Sequence, residues 1–287
     1  MASGVAVLRR IKTMPKITET AKVLSQENLS PGVYSMWIET SIAKSAAPGQ
    51  FISIYTKDAS KLLPRPISIC EIDPVGKIRI VYRIAGAGTS EFSQYEAGDD
   101  IKVVGPLGNG FYSAIIMAQS ESNDFAKEKL EINDTTKALL IGGGIGVPPM
   151  LGLAKALKCE KEIVVGYRND NELFLLDDLK ENGNVYVATD DGSFGTKGTV
   201  IDAIKENNVK ADIIFACGPK PMLRGVKSLA EELGIPAYIS MEERMACGVG
   251  ACLGCVCQSS EVDGHSNVKN KRVCVDGPVF LATEVEL

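Results

Sequence analysis

The sequence is poor in histidine and tryptophan, with one of each among 287 residues. The single histidine, His265, falls in a segment read as a loop, and no base is suggested beside Cys217, so a Cys–His nucleophilic pair is not supported. Paired carboxylates and metalloprotease motifs are missing as well. No apolar run approaches the ~18–20 residues that a membrane-spanning helix needs. Positive charge is not in excess: the formal net charge is −5, whereas nucleic-acid binders usually carry a basic patch. Near the N-terminus the apolar stretch is about five residues, below the ~7–15 of a secretory h-region. Residues 1–14 are therefore read as an extension without assigned function, with Met14 as a second candidate start. The expectation is a cytoplasmic protein whose thiols stay reduced.

Against these absences the cysteines stand out. Eight cysteines in a reducing compartment point to metal or redox chemistry more than to disulfides. Five of the eight (Cys247, Cys252, Cys255, Cys257 and Cys274) lie near the C-terminus. Cys247, Cys252 and Cys255 form C-x₄-C-x₂-C, and Cys274 follows downstream, which is the spacing of plant-type ligation of a [2Fe–2S] cluster. Glycines between them let the backbone curl around such a group. Two alternatives stand beside this reading. Cys257 could replace Cys255 or Cys274, and four cysteines could hold a structural zinc. Cys70 and Cys159 read as small buried hydrophobes.

A chain of this length with 45% hydrophobic and 23% charged residues suggests two or three globular domains. Short alternating, β-branched segments such as Phe51–Tyr55, residues 67–70 and Lys77–Arg83 fill the first third, with turn residues between them. That pattern predicts an antiparallel barrel or sandwich over residues 15–112. Residues 113–136 are polar and irregular and are read as a linker or insertion, with a surface loop at 119–124 and a helical turn at 125–130. From Lys137 onward, strand-like runs at 138–141, 162–165, 185–188, 211–216 and 237–240 alternate with helix-like runs at 148–157, 198–206 and 219–233. Alternation of this kind predicts an α/β domain with a parallel sheet over residues 137–240. Residues 241–287 form a small Cys-rich module.

Within this frame, Gly142-Gly143-Gly144-Ile145-Gly146 follows a predicted strand and opens a predicted helix beginning Val147-Pro148-Pro149. Bare backbone there admits a pyrophosphate, and the helix start supplies N–H donors. A tight structural turn is the plainer alternative. Strict G-x-G-x-x-G is absent, because Val147 stands where the third glycine would be. In the barrel region, Arg65-Pro66-Ile67-Ser68 and the turn around Gly88-Thr89 offer an arginine, backbone N–H groups and a hydroxyl for a second phosphate. After a later strand, Asp190 and Asp191 would repel a 2′-phosphate and so favour NAD over NADP, with Lys197 nearby; a solvated turn explains them equally well.

Together, Arg65–Ser68, the Gly88-Thr89 turn, the glycine loop and Cys217-Gly218-Pro219 resemble the ferredoxin–NADP reductase superfamily. The run from Ser240 through Cys255, with Cys274 and its flanks, is similar to the electron-transfer subunits of type B dihydroorotate dehydrogenases. The resemblance spans Pro15 to the C-terminus apart from the stretch after residue 112. It implies a flavin-binding barrel, a nucleotide-binding α/β domain and a small C-terminal [2Fe–2S] module. By that resemblance Arg65, Pro66, Ile67 and Ser68 bind FAD, with Ser68 near the reactive edge of the flavin and Arg65 at its phosphates. Val81, Tyr82 and Arg83 line FAD, and Gly88 and Thr89 face its pyrophosphate. Gly142, Gly143, Gly144 and Gly146, with Cys217, Gly218 and Pro219, take NAD. Cys247, Cys252, Cys255 and Cys274 ligate the cluster.

The resemblance further implies an electron-transfer subunit in pyrimidine biosynthesis. Electrons would pass from a partner that carries FMN and oxidises dihydroorotate, through the cluster and FAD, to NAD⁺, in a heterotetramer with two of each chain. No catalytic residue of dihydroorotate oxidation is expected in this chain, and neither nucleic acid nor membrane is an expected partner. The alternatives are a related NAD(P)H-dependent reductase subunit serving ferredoxin, sulfur or a hydrogenase, and a zinc-stapled nucleotide-binding regulator.

Overall fold

The computed structural model describes residues 16–120, 132–260, 262 and 268–287. His265, the N-terminal extension and the helical turn expected at 125–130 lie outside the described residues.

Six antiparallel strands close a barrel: β1 (Ile17–Ser30), β2 (Val33–Glu39), β3 (Phe51–Tyr55), β4 (Arg65–Asp73), β5 (Lys77–Arg83) and β6 (Asp100–Leu107), in the order β1-β2-β5-β4-β3-β6. A short helix α1 (Ala87–Phe92) bridges β5 and β6. Alternation decides which side chains fill the barrel. On β5, Ile78, Ile80 and Tyr82 point inward and join Ile52, Ile54 and Val103 in one buried cluster. The odd positions of the same strand, Arg79, Val81 and Arg83, point outward and meet the second domain.

That domain is built on a seven-stranded sheet. Its strands are β7 (Lys137–Gly143), β8 (Glu160–Tyr167), β9 (Asn184–Thr189), β10 (Thr196–Lys197), β11 (Ile213–Cys217), β12 (Ala237–Ser240) and β15 (Val279–Leu281), in the order β10-β9-β8-β7-β11-β12-β15. All neighbours are parallel except β12 and β15. Helices α2 (Phe111–Ser120), α3 (Val147–Ala156) and α4 (Leu176–Lys180) cover one face, and α5 (Val200–Glu206) and α6 (Lys220–Leu233) the other. Strand β7 shows why both faces must be covered: Ala138 and Leu140 enter one core, Leu139 and Ile141 the other. Strand order reverses around β7, so the ends of β7 and β11 flank the crevice where open α/β sheets bind ligands.

Two differences from the sequence reading have clear causes. The stretch read as a linker begins inside helix α2, because Phe111, Ala114 and Ile115 recur at helical spacing and are buried. Phe111 packs edge-on to Phe215, with ring centroids 5.5 Å apart. The Cys-rich module also does not stand apart. It contains the small hairpin β13 (Val256–Gln258) and β14 (Asn270–Arg272), but it sends β15 back to extend the large sheet, pairing Leu281 with Tyr238 and Val279 with Ser240.

The two larger domains are locked by charge as well as by packing. Helix α3 lies on β4 so closely that a Cβ on Gly152 would strike the Cys70 carbonyl. Beside it, buried Glu71 accepts from Arg79 at 2.6 Å and pairs with Lys155 of α3, while Arg79 reaches Asp178 of α4 at 3.1 Å. Glu71→Ala leaves a mostly buried guanidinium with Ser35 and one of its two carboxylate partners. A stability loss on the order of 2–3 kcal/mol is expected, short of a fully broken buried pair because Asp178 still holds Arg79. Denaturant unfolding checks this; a loss below about 0.5 kcal/mol would class the network with idle surface pairs.

Candidate functional site

Between barrel and sheet lies a cleft of about 1440 Å³, and it gathers nearly all the residues expected to bind cofactors. Arg65, Pro66, Ile67, Ser68, Val81, Tyr82, Arg83 and Thr89 line its barrel side. Gly143, Gly144, Gly146, Cys217, Gly218 and Pro219 line its sheet side. Gly88 and Gly142 do not line it; they sit behind it and shape it. A Cβ on Gly142 would come within 2.9 Å of the Val147 backbone, so its role is to let α3 approach β7.

On the barrel side, Arg65 lies directly over Gly88, where a Cβ would reach 2.5 Å from the guanidinium carbon. The bare Gly88 leaves room for that approach, and the arginine lies over the first turn of α1, where it suits a phosphate. The Gly88-Thr89 segment is the start of this helix rather than a free turn. The Thr89 hydroxyl accepts from the N–H groups of Ala85 (2.8 Å) and Gly86 (3.2 Å) and donates to the Gly86 carbonyl (3.1 Å). It therefore fixes the backbone of the site and does not itself point a free hydroxyl at a ligand. Arg83 reaches across the cleft to Glu172 at 3.0 Å, a partner with no motif in the sequence to announce it.

On the sheet side each glycine of the loop has its own reason. Gly144 has φ +51° and open space around it. A Cβ on Gly143 would meet the Met222 sulfur at 2.6 Å, and one on Gly146 would fall on the Cys217 carbonyl. Helix α3 then starts with prolines and has no side-chain cap, and α6 likewise starts uncapped after Pro219. Two helix starts thus turn positive dipole ends to the cleft, although Pro148, Pro149 and Pro221 have no N–H to give and the Val147 N–H is donated to the Gly144 carbonyl. Cys217 ends β11 between them. Burial pushes its thiol up to about 12, the Ser240 hydroxyl opposes this and Glu242 adds to it, so the group is neutral. Asp191 is occupied locally, accepting from the Ser193 N–H (2.9 Å) and hydroxyl (2.6 Å), whereas Asp190 lines the cleft.

Beyond β12 the chain stays in the cleft through residues 240–245, lining it, and then enters the cysteine loop. Cys252 is exposed, Cys247 is partly buried, and Cys255 and Cys274 are buried. Backbone N–H groups point at three of these sulfurs. Val249 and Ala251 donate to Cys247 Sγ (3.5 and 3.3 Å), Gly254 to Cys252 Sγ (3.4 Å) and Cys274 to Cys255 Sγ (3.4 Å). For Cys247, burial raises the thiol, but the donors from Val249, Cys252 and Ala251 outweigh it and bring it down to about 6. Gly248 (φ 66°), Gly250 (φ 87°) and Leu253 (φ 57°) supply the left-handed turns of the loop. A soft four-thiol set with N–H···S donors fits an iron–sulfur cluster. Among the described residues no group of three or more His, Cys, Asp or Glu side chains is gathered closely enough to hold a metal ion. Neither Cys274 nor Cys257 is among the three sulfurs that receive these donors, and Cys257 has a partner of its own. It is buried, its thiol donates to the Lys271 carbonyl at 3.4 Å, and burial together with Glu243 pushes it up to about 11.

Comparison with known proteins agrees with this geometry. Residues 140–228 match the oxidoreductase NAD-binding domain, and residues 242–286 match the iron–sulfur cluster binding domain of dihydroorotate dehydrogenase B. An electron transfer subunit of dihydroorotate dehydrogenase B (NAD(+)) from Streptococcus thermophilus is 42% identical over 273 residues, covering 94% of this chain and 98% of its own. The corresponding subunit from Fusobacterium nucleatum is 40% identical over 279 residues, covering 94% and 98%. The chain belongs to this family of electron transfer subunits. As such it is part of an NAD-dependent oxidoreductase and works with a catalytic partner. A solved NADH-dependent reduced ferredoxin–NADP oxidoreductase is 31% identical with a TM-score of 0.77, covering 93% of this chain and 90% of that one. A ferredoxin–NADP⁺ reductase from Neisseria gonorrhoeae shares the fold at 15% identity and a TM-score of 0.59, covering 79% of this chain and 94% of that one.

Proposed function

We propose that this electron transfer subunit carries electrons from a dihydroorotate-oxidising partner to NAD⁺ through a [2Fe–2S] cluster and FAD, in pyrimidine biosynthesis. The observation that carries the reading is continuity: the chain that lines the cleft at residues 240–245 runs straight into the cysteine loop. Hydride exchange with nicotinamide and its division into single electrons are chemistry that FAD and the cluster supply when bound.

The protein's own part is to hold and orient. Arg65, seated over Gly88, holds the flavin phosphates. Ser68 would lie along the flavin, and Phe51 pairs with it across β3 and β4; the Tyr82 ring is buried inside the barrel and offers the cleft no face. The glycine loop and the two uncapped helix starts hold the pyrophosphate of NAD, and the neutral Cys217 thiol beside Gly146 faces the nicotinamide. Asp190 repels a 2′-phosphate and favours NAD over NADP. Cys247, Cys252, Cys255 and Cys274 hold the cluster. The partner carries FMN, two copies of each chain assemble, and the complex works in the cytoplasm. Among the described residues no helix is long and apolar enough to cross a membrane.

The test is a visible spectrum and an activity on the purified chain. Flavin bands and broad cluster absorption that bleach with NADH are expected, with no dye reduction from dihydroorotate until the partner is added. A colourless protein, or turnover of dihydroorotate by this chain alone, would sink the reading. The 31% identical ferredoxin–NADP oxidoreductase makes ferredoxin the second candidate acceptor; electron delivery to ferredoxin but not to the dihydroorotate-oxidising partner would favour it.

A further inference from the structure

The loop leaving β6 carries one long side chain between two glycines, Gly108-Asn109-Gly110. Neither glycine can be replaced without collision. A Cβ on Gly108 (φ +75°) would come 2.5 Å from Pro278 Cδ and 2.9 Å from Phe51, and one on Gly110 would strike the Pro48 carbonyl. The backbone is drawn in close on both sides so that Asn109 can reach the segment after Cys274. Its Nδ2 donates to the carbonyls of Val275 (2.9 Å) and Asp276 (3.1 Å). Its backbone N–H donates to the Gly277 carbonyl (2.6 Å), and its carbonyl accepts from the Val279 N–H (3.4 Å). One residue of the barrel thus satisfies four backbone groups in the five residues that follow a cluster ligand.

The grip leads back to the flavin strands. Gln50 Nε2 donates to the Gly108 carbonyl at 2.8 Å, and the Gln50 carbonyl accepts from the N–H of Ile69, next to Ser68, at 3.0 Å. The other ligand segment is seated on the same strands. Gly248, beside Cys247, lies so close to β3 that a Cβ would be 3.1 Å from Ser53 Oγ, and Ser53 pairs with Pro66. Both segments of the ligand set therefore rest on the β3–β4 pair that carries Arg65–Ser68.

Resting on the function proposed above, we infer that Asn109 is a positioning residue for electron transfer, fixing the Cys274 segment to the flavin barrel and so setting the separation of cluster and flavin. One-electron transfer between buried centres weakens steeply with distance, so a small loss of registration is felt in rate before it is felt in cofactor content.

The decisive variant is Asn109→Asp, which keeps the shape but presents a carboxylate to two carbonyl oxygens and cannot donate to them. Asn109→Ala removes the amide without adding charge. In stopped-flow mixing of the holo chain with NADH, the flavin band should bleach at the wild-type rate in both variants. The cluster band should lag behind the flavin band, the direction of loss that a misplaced reacting group brings. Hydrogen exchange should quicken over residues 275–279. Cluster bleaching that keeps pace with wild type in both variants overturns the proposal. A variant that loses its cluster is replaced by a measurement on the wild-type chain. There the amides of Asn109 and Val279 should be as protected as those of β3 and β4, and exchange as fast as an open loop would overturn the proposal equally. Failure of the wild-type flavin to bleach with NADH would instead strike the function itself, so the two failures are separable.

Discussion

Gly146→Ala is expected to cut NADH-dependent flavin reduction by about a hundredfold while leaving flavin and cluster in place. The reason lies in what the new methyl group would meet. Its Cβ falls on the carbonyl of Cys217 and 2.7 Å from the Gly218 nitrogen, all of it backbone at the end of β11. A flexible side chain could swing aside, but a parallel strand held by β7 and β12 cannot. Either the glycine loop lifts from the sheet or the Cys217-Gly218 segment is pushed into the cleft, and both carry the nucleotide site. Overpacking of this kind costs roughly 1–3 kcal/mol in stability, which the fold can bear. The flavin side is spared, because Arg65 and Gly88 sit on the barrel. Gly144→Ala is the control. It too adds one methyl, but nothing lies within 4 Å, so only the left-handed backbone at φ +51° is strained, at a cost of about 1–2 kcal/mol. Steady-state kinetics with NADH and a dye acceptor separate the two; an unchanged kcat/KM for Gly146→Ala would remove the glycine loop from the nucleotide site.

The contrast between these glycines marks what a sequence can and cannot disclose. A glycine-rich run between a strand and a helix is visible in one dimension, because the run and its flanks are local. Which glycine answers to φ and which to a neighbour's backbone is not, since Cys217 is 71 positions from Gly146 and meets it only when β11 pairs with β7. Strand β5 teaches the same lesson. Its alternation predicts the strand at Lys77–Arg83 and its inward face. Nothing in that alternation says that Arg79 and Arg83 meet Asp178 and Glu172 of another domain. Composition hid the helix at residues 113–120, because polar residues further along outweighed the helical spacing of Phe111, Ala114 and Ile115. Asn109 was silent for a related reason: an asparagine among glycines reads as a turn, and its four partners lie over 160 residues away. Short-range motifs named the chemistry; the contacts that hold the pieces in register are long-range and had to be seen.

Cys274→Ala should separate the two halves of the molecule outright. Cys274 is buried against Cys255, whose Sγ accepts the Cys274 N–H, and it is anchored by the segment that Asn109 grips. No neighbouring thiol can move in to replace it. Cys257, the nearest rival by sequence, spends its S–H on the Lys271 carbonyl within the β13–β14 hairpin, and shifting it would break that pairing. Loss of one of four thiolate ligands removes the cluster. Iron and labile sulfide should fall to background, while the barrel and the sheet keep FAD and NADH in contact, so dye reduction by NADH stays within about twofold, as expected when the missing group takes no part in hydride transfer. Electron exchange with the dihydroorotate-oxidising partner should fall to background even though the complex still forms. Cys257→Ser is the informative companion. A serine hydroxyl can donate to the same carbonyl, so the cluster and the exchange with the partner should both survive. If Cys257→Ser loses its cluster and Cys274→Ala keeps one, the fourth ligand is Cys257, and the route from cleft to cysteine loop must be redrawn around the β13–β14 hairpin.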